Sequence, residues 1–347
     1  MDKVILKTEL LSWLRSLASR YRVIGPVSRE DAPPEFHDID SKTDIVLDNR
    51  SWAMSPREYL LPREELLFTA KGKGGEQTVS APENSDNPVL LAGLKLCDAK
   101  AIQILDKVYL EGEFKDPYYA AKREKVTLLG NICTEARWSC FCTSVGGPLA
   151  WVEILDASIT DIGDKFYITS RTEKGDALLS GANLLEPTEK DKRKAEEVWQ
   201  ALAATPMQPF AGKDLASLVN WEHPVWAEVA KRCLACGVCN YLCPSCSCFD
   251  IQDETVAVDC VERFRCRDTC QFSNFTKMGA GHNPRAAQLP RSRQRVMHKF
   301  SYQPEQIGTY GCSGCGRCIE ACPVNIDVRQ ILASFLPDEE PTTEQKP

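Results

Sequence analysis

No cysteine occurs in the first 96 residues of this 347-residue chain, and none between residues 143 and 232. Nor does any stretch approach the roughly 18 consecutive apolar residues of a membrane span, so no transmembrane segment is expected. The opening segment MDKVILKTELLSWLRSL lacks a small-residue cleavage site and carries Glu9 and Arg15 among its leucines. It reads as an amphipathic helix over about residues 7–19, not as a secretory signal, and the expected location is the cytoplasm. A net charge of -7 lacks the basic excess that nucleic acid demands, so proteins are the expected partners. The glycines of KGKGGEQTVSAPENSDNP (residues 71–88) lack the spacing of a dinucleotide fingerprint, and that stretch reads as an exposed loop.

What the chain does have is 17 cysteines, in a compartment where structural disulfides rarely persist. Metal ligation is the leading explanation. Four of them lie between Cys97 and Cys142, and thirteen between Cys233 and Cys322. The length suits two domains, and 43% hydrophobic with 26% charged residues is ordinary globular composition.

In the N-terminal half, a short apolar strand at residues 89–92 is followed by the helical periodicity of LCDAKAIQILDKVYL and a second apolar run at residues 126–129. WVEILDASITDIGDKFYITS alternates as a β-hairpin, with Gly163-Asp164 as turn, and KDKRKAEEVWQALAA reads as a charged amphipathic helix. The composition changes near residues 207–214. The expected organisation is an α/β (or α+β) domain over residues 1–210, an α-helical dicluster ferredoxin domain over 211–336, and a disordered tail over 337–347.

Cys233-x2-Cys236-x2-Cys239-x3-Cys243-Pro244 recurs as Cys312-x2-Cys315-x2-Cys318-x3-Cys322-Pro323. Three thiolates at two-residue gaps wrap three corners of a cubane, and the fourth, followed by proline, reaches a neighbouring cluster. The expected ligand sets are therefore Cys233, Cys236, Cys239 and Cys322 for one 4Fe-4S cluster, and Cys312, Cys315, Cys318 and Cys243 for the other. Gly237, Gly314 and Gly316 suit the tight turns beside inorganic sulfide. Zinc is the competing ligand, but a tetrahedral site has no use for a third cysteine and a Cys-Pro ending repeated twice. The intervening VERFRCRDTCQFSNFTKM and RSRQRVMHKF both read as helix. No general base, nucleophile or open metal position accompanies these motifs, so the chain reads as a conduit for electrons, not as a catalyst by itself.

With these motifs in view, the chain resembles the β subunits of cytoplasmic sulfhydrogenases and the A subunit of anaerobic sulfite reductase, a family of dicluster subunits. The resemblance covers residues 90–330 and rests further on DPYYAAKRE (116–124), CTEARWSCFCTSVGG (133–147), CPSCSCFD (243–250), GHNPR (281–285) and RQRVMHKFSY (293–302). It implies a partner subunit that carries flavin and binds NAD(P), and a further partner holding the terminal catalytic centre of hydrogenase, sulfite or sulfur reductase, or heterodisulfide-reductase type. Two other classes compete: a free-standing soluble ferredoxin-like carrier, and a flavin- or substrate-binding enzyme using the N-terminal domain. Cys266 stands where the family has a bulky aromatic, so it is not expected to be a shared ligand.

Several weaker features carry two readings each. Cys97, Cys133, Cys140 and Cys142 supply enough thiolates for a third cluster, with buried thiols as the alternative, and Asp98 could stand in for a missing thiol. Cys246, Cys248, Cys260 and Cys270 read as structural cysteines before they read as a shell tuning the first cluster. Arg285, Arg291, Arg293, Arg295 and Lys299 form either a docking patch for an acidic partner or a solvated helix face. Gly146-Gly147-Pro148 is a weak phosphate-turn signal, and His282 reads as a loop histidine.

Overall fold

The structure is a computed structural model that describes residues 1–30, 32–40, 43, 45–48, 54–73, 76–82, 87–147 and 149–337. Residues 338–347 of the expected tail, parts of the 71–88 segment and Pro148 lie outside the described residues.

Two central strands, β6 (Val89–Leu94) and β7 (Val126–Asn131), read VLLAGL and VTLLGN because both of their faces are covered. Parallel neighbours β2 (Arg22–Arg29) and β8 (Ala157–Asp161) flank them. Antiparallel β3 (Ala32–Asp38), β9 (Lys165–Ser170) and β1 (Asp2–Leu6) complete a seven-stranded sheet in the order β1-β9-β8-β7-β6-β2-β3. The period of two sorts the side chains. Leu90, Ala92 and Leu129 meet Leu10, Trp13 and Leu14 of α1 (Lys7–Ser16). Leu91, Leu94 and Leu128 face the opposite side, with Ala99, Ile102 and Leu105 of α2 (Leu96–Leu110). Further helices α3 (Pro117–Lys125), α4 (Glu173–Leu179) and α5 (Glu189–Ala203) follow, α5 opening on a Thr188–Asp191 capping box and laying Ala195 and Trp199 on Val4 and Tyr167. The expected strand, helix, strand order and the β8–β9 hairpin are present, with residues 149–154 as 3-10 turns instead of strand.

Two expectations fail, and for one reason. The segment VERFRCRDTC is not helix: β11 (Cys260–Arg267) pairs with β10 (Phe249–Ala257), and Ser273–Thr276 forms a 3-10 turn. Likewise, much of the supposed loop at 71–88 is strand, since β4 (Glu64–Lys73) turns into β5 (Glu76–Ser80). These four make one antiparallel sheet, β10-β11-β4-β5, in which β11 lies directly against β4. Every residue of β5 and β10 is exposed, so backbone pairing with β4 and β11, not a buried stripe, specifies them, and the distant β11–β4 pairing joins the two hairpins. The dicluster region is therefore mixed α/β, and its sheet draws strands from both sides of residue 210.

The remaining elements are helices α6 (Leu215–Leu218), α7 (Val225–Arg232), α8 (Val238–Tyr241), α9 (Gln288–Met297), α10 (Gln303–Ile307), α11 (Arg317–Glu320) and α12 (Val328–Ala333). The expected helix at 291–300 is α9 continued by a π-helical turn over His298–Tyr302. Trp226, Val296, Phe300, Ile319 and Leu332 share one hydrophobic core with Leu91 and Leu128, so the cysteine-rich region is seated on the α2 face of the large sheet.

Candidate metal centres

The two cysteine motifs fold alike. α7 ends at Cys233, whose N–H donates to Val229 O at 3.0 Å. Ala235 and Gly237 then take left-handed φ values of 55° and 74°, Gly237 capping α8. The second loop repeats this with Gly314 at 63° and Gly316 at 76°, Gly316 capping α11. The reversals turn successive backbone amides and thiols inward: Gly314 N–H lies 3.4 Å from Cys312 Sγ, and Ile326 N–H donates to Cys322 Sγ at 3.2 Å.

Each expected ligand set surrounds its own cavity. Cys233, Cys236, Cys239 and Cys322 line the first, which Val229, Val296 and Ile331 close on its apolar side. Cys243, Cys312, Cys315 and Cys318 line the second, under Phe141 and Phe300. Cys318 also faces the first cavity and forms the wall between them. Among the described residues no three Cys, His, Asp or Glu side chains converge on a single-ion position; the sulfurs of each set stand around a space instead.

The electrostatics of this space are unusual. Arg295 lines both cavities, its Nε donating to Asn240 Oδ1 at 2.8 Å. One turn on, buried Lys299 donates from Nζ to Gly311 O at 2.8 Å and Ser245 Oγ at 3.1 Å. Neither cation has a carboxylate partner among the described residues, and an enclosed charge without a counter-charge is costly. The groups that favour their charge are thiols. Burial opposes the Lys299 charge, but Cys243, Cys246 and Cys312 outweigh it and raise its pKa. Conversely, the Cys246 thiol, Lys299 and Arg295 hold Cys243 well below the usual thiol range despite its burial. Burial pushes Cys239 up to about 11, and Cys312 and Cys315 to about 12. A polyanionic group held by thiolates is what fits two carboxylate-free cations and eight inward thiols.

The third set also gathers. Cys97 opens α2 at the carboxyl end of β6, Cys133 follows β7, and Cys140 and Cys142 sit on the next loop, near enough for each to feel its neighbours. Cys97 lies within electrostatic reach of Cys315 of the second cavity. Burial raises Cys142 to about 12 and lifts Cys97 and Cys133 as well. Asp98 is not a spare ligand: both of its oxygens accept from Arg317, at 2.8 and 3.0 Å, in a fully buried pair. The Gly146-Gly147 turn closes on Cys142, Gly147 N–H donating to Cys142 O at 3.1 Å.

The basic stretch does not serve as a docking patch or a solvated face. Arg291 is buried against the Arg285 and Ala286 carbonyls, Arg293 stacks on Trp221 at 3.5 Å, and Arg295 and Lys299 point at the cavities. The signal in the sequence was their spacing: Arg291, Arg295 and Lys299 recur every fourth residue beside Ser292, Val296 and Phe300, on the inward stripe. Of the surplus cysteines, Cys260 is buried at the far end of the hairpin, Cys266 faces Glu64 and Asp250, and Cys246, Cys248 and Cys270 cluster beside Cys243. His282 is exposed.

Comparison with known proteins matches residues 232–326 to the 4Fe-4S dicluster domain. The C-terminal third is a dicluster iron–sulfur domain. The chain is also 29% identical to the sulfhydrogenase 2 subunit beta of Pyrococcus furiosus over 316 residues, which is 90% of this chain and 91% of that one, and it is a homologue of that subunit. No solved structure matches it. The matched domain contains both cysteine loops, α9 and the β10–β11 hairpin, so the cations between the cavities are part of the dicluster domain itself. Among the described residues no helix is long and apolar enough to cross a membrane.

Proposed function

We propose that this chain is the electron relay of a multi-subunit oxidoreductase, passing electrons between a flavin- and NAD(P)-binding reductase subunit and a terminal catalytic subunit of hydrogenase, sulfite or sulfur reductase, or heterodisulfide-reductase type. The observation that carries this reading is the pair of thiol-lined cavities sharing the Cys318 wall with Arg295 facing both. Cys233, Cys236, Cys239 and Cys322 hold one 4Fe-4S cluster, and Cys312, Cys315, Cys318 and Cys243 the other, each supplying one-electron chemistry when bound. The chain's own residues do the rest. The apolar walls exclude water, the left-handed turns aim backbone amides at the thiols, and Arg295 and Lys299 balance negative charge that grows on reduction.

A second element extends the path. The position of Cys97, Cys133, Cys140 and Cys142 beside Cys315 favours a third centre, which would lead from the second cavity to the carboxyl ends of β6 and β7, where open α/β sheets place ligands.

Iron and acid-labile sulfide content of anaerobically purified protein, with electron paramagnetic resonance after dithionite, tests both statements. About eight of each per chain with a spin-coupled signal supports two centres, and about twelve adds the third. Zinc without sulfide overturns the reading.

A further inference from the structure

The sheet β10-β11-β4-β5 has no core of its own. Among the described residues, none of its four strands contributes to any of the three buried hydrophobic clusters. A sheet of this size ordinarily needs an apolar face packed on something to be stable. One face is held by charge instead. The period of two puts Arg263, Arg265 and Arg267 on the face that meets α3, where they pair with Asp253, with Glu65 and Asp116, and with Glu58 respectively. The other face has no such answer. Register sets Cys266 between Asp250 and Glu64, Phe264 between Gln252 and Leu66, and Glu262 between Glu254 and Thr69. Glu64, Asp250, Glu254 and Glu262 make no ion pair with any described residue, and Glu254 stands directly opposite Glu262, a like-charge pair that costs stability.

β10 is an end strand, and its outer edge pairs with no strand among the described residues. Arg267 N–H donates to Arg63 O on the β4 side, and Asp268 N–H donates to Cys248 O. Antiparallel alternation therefore turns the N–H and C=O groups of Phe249, Ile251 and Asp253 away from β11 and into solvent. Phe249 and Ile251 are each left 42% exposed at that edge. Open edges are ordinarily blunted by lysine, proline, a bulge or a covering segment. Residues 249–254 have no lysine, proline or register shift, only carboxylates, which repel a second copy of the same edge and attract a cationic strand. The same face continues into an open cleft of about 570 Å³, lined by Asp250, Gln252 and Cys266 of the sheet and by Ala235 and Phe272. Ala235 lies between Cys233 and Cys236, so the cleft reaches the exposed loop of the first centre.

We propose that the free edge of β10, with the carboxylate face beside it, seats an extended cationic segment of the redox partner subunit. The segment adds as a fifth strand: its main chain meets the outward groups of Phe249, Ile251 and Asp253, and its lysine or arginine side chains meet Asp250 and Glu254. Glu262 and Glu64 behind them add to the attraction. Seated there, the partner lies beside the cleft that leads to Ala235, which holds its cofactor near the first centre. That the partner exchanges electrons at this centre rests on the relay reading; the edge itself does not.

The test uses the full holoprotein and two fluorescently labelled octapeptides, one alternating lysine with valine and one alternating glutamate with valine, read by anisotropy and by amide hydrogen exchange. The lysine peptide is expected to bind, to lose affinity at high salt, and to slow exchange at Ile251 and Asp253 while leaving β5 unchanged. Glu254→Gln with Glu262→Gln should weaken it about tenfold without lowering the melting temperature, which a merely structural role for these carboxylates would not do. Ile251→Pro removes only an outward donor and should weaken the peptide by a similar factor. Should that variant not fold, the exchange pattern of the wild type decides alone. Equal binding of the glutamate peptide, protection away from β10, or no binding of the lysine peptide overturns the proposal. So does a chain that dimerises and is made monomeric by Ile251→Pro, since a second copy would then be the occupant. Reduction of ferricyanide by the dithionite-reduced holoprotein reads the relay separately. Transfer without peptide binding removes the docking edge and leaves the relay, whereas peptide binding without transfer does the reverse.

Discussion

The two cysteine loops have the same spacing and the same backbone turns, yet one lies at the surface and the other inside. In the first loop Cys236 is exposed and Leu234 is 63% exposed; in the second, Ser313, Arg317 and Ile319 are all buried. The difference traces to single positions. Where the first loop has Ala235, the second has Gly314, and a Cβ there would stand 2.5 Å from the backbone nitrogen of Cys142. At Gly316 a Cβ would stand 2.5 Å from Ser139 O. Where the first loop has Val238, the second has Arg317, which reaches Asp98 of α2. The second motif is thus shaped to receive the 139–142 segment and the start of α2. On the relay reading, the first centre is the one a partner approaches, and the second is an interior stage leading toward Cys97.

The comparison breaks most sharply at Asp98. Asp98→Ala leaves Arg317 buried without its partner and should cost about 3–5 kcal/mol, as removal of one member of a buried pair does. Chemical denaturation measures it, and partial rescue by Asp98→Ala with Arg317→Met would show that the stranded charge is the cause. Iron should be lost from the second site before the first. Equal loss from both would mean that the loops are not independently anchored.

Acid tests the helix that separates the loops. His298, on the turn before Lys299, is lowered to about 4 by burial and then by Lys299 and Arg285. An unfolded histidine titrates near 6.5, so the unfolded state binds the proton first. The associated stability is present above pH ~6.5 and is lost as pH falls toward 4. The loss amounts to about 3 kcal/mol at most, from ~1.36 kcal/mol per pKa unit. Melting temperatures from pH 7.5 to 4.5 should show this slope in the wild type and a flatter one in His298→Gln.

Next in size are the glycines. Gly314→Ala must adopt left-handed backbone and also displace Cys142, for about 2–3 kcal/mol. Gly237→Ala meets only the Phe272 and Thr269 side chains, at 3.0 Å, and should cost about 1 kcal/mol. Thermal unfolding and iron content separate the two; a Gly237→Ala loss as large as that of Gly314→Ala would remove the claimed asymmetry.

Much of this site was legible in the sequence because ligand spacing is a local property. The two repeated cysteine loops, the grouping of their thiols around two cavities and the central strands follow from spacing and apolar runs. What escaped was set by distant partners. β11 alternates Arg263, Arg265 and Arg267 at the period of a strand, but with charge in place of an apolar stripe the segment reads as helix until β4 is known to lie beside it. Asp98 looked like a possible ligand because nothing nearby announces Arg317, 219 residues later. Arg295 and Lys299 looked like a surface patch because charge ordinarily faces water; only the cavities explain their inward aim.

Those two cations give the finest test of how the loops differ. Lys299 lines the second cavity, beside Cys243 and Cys312, and not the first, whereas Arg295 faces both. Reduction adds negative charge, so removing a neighbouring cation disfavours the reduced state and lowers the midpoint potential. Lys299→Met should lower one centre by on the order of 60 mV, about 1.4 kcal/mol for a single electron, and leave the other unchanged. Arg295→Met should lower both, because its guanidinium lines both cavities. Potentiometric titration followed by electron paramagnetic resonance resolves the two centres. If Lys299→Met moved both potentials equally, the second loop would not be the more isolated of the two. If neither variant moved a potential while both lowered the melting temperature, these cations would brace the loops without tuning what the loops hold.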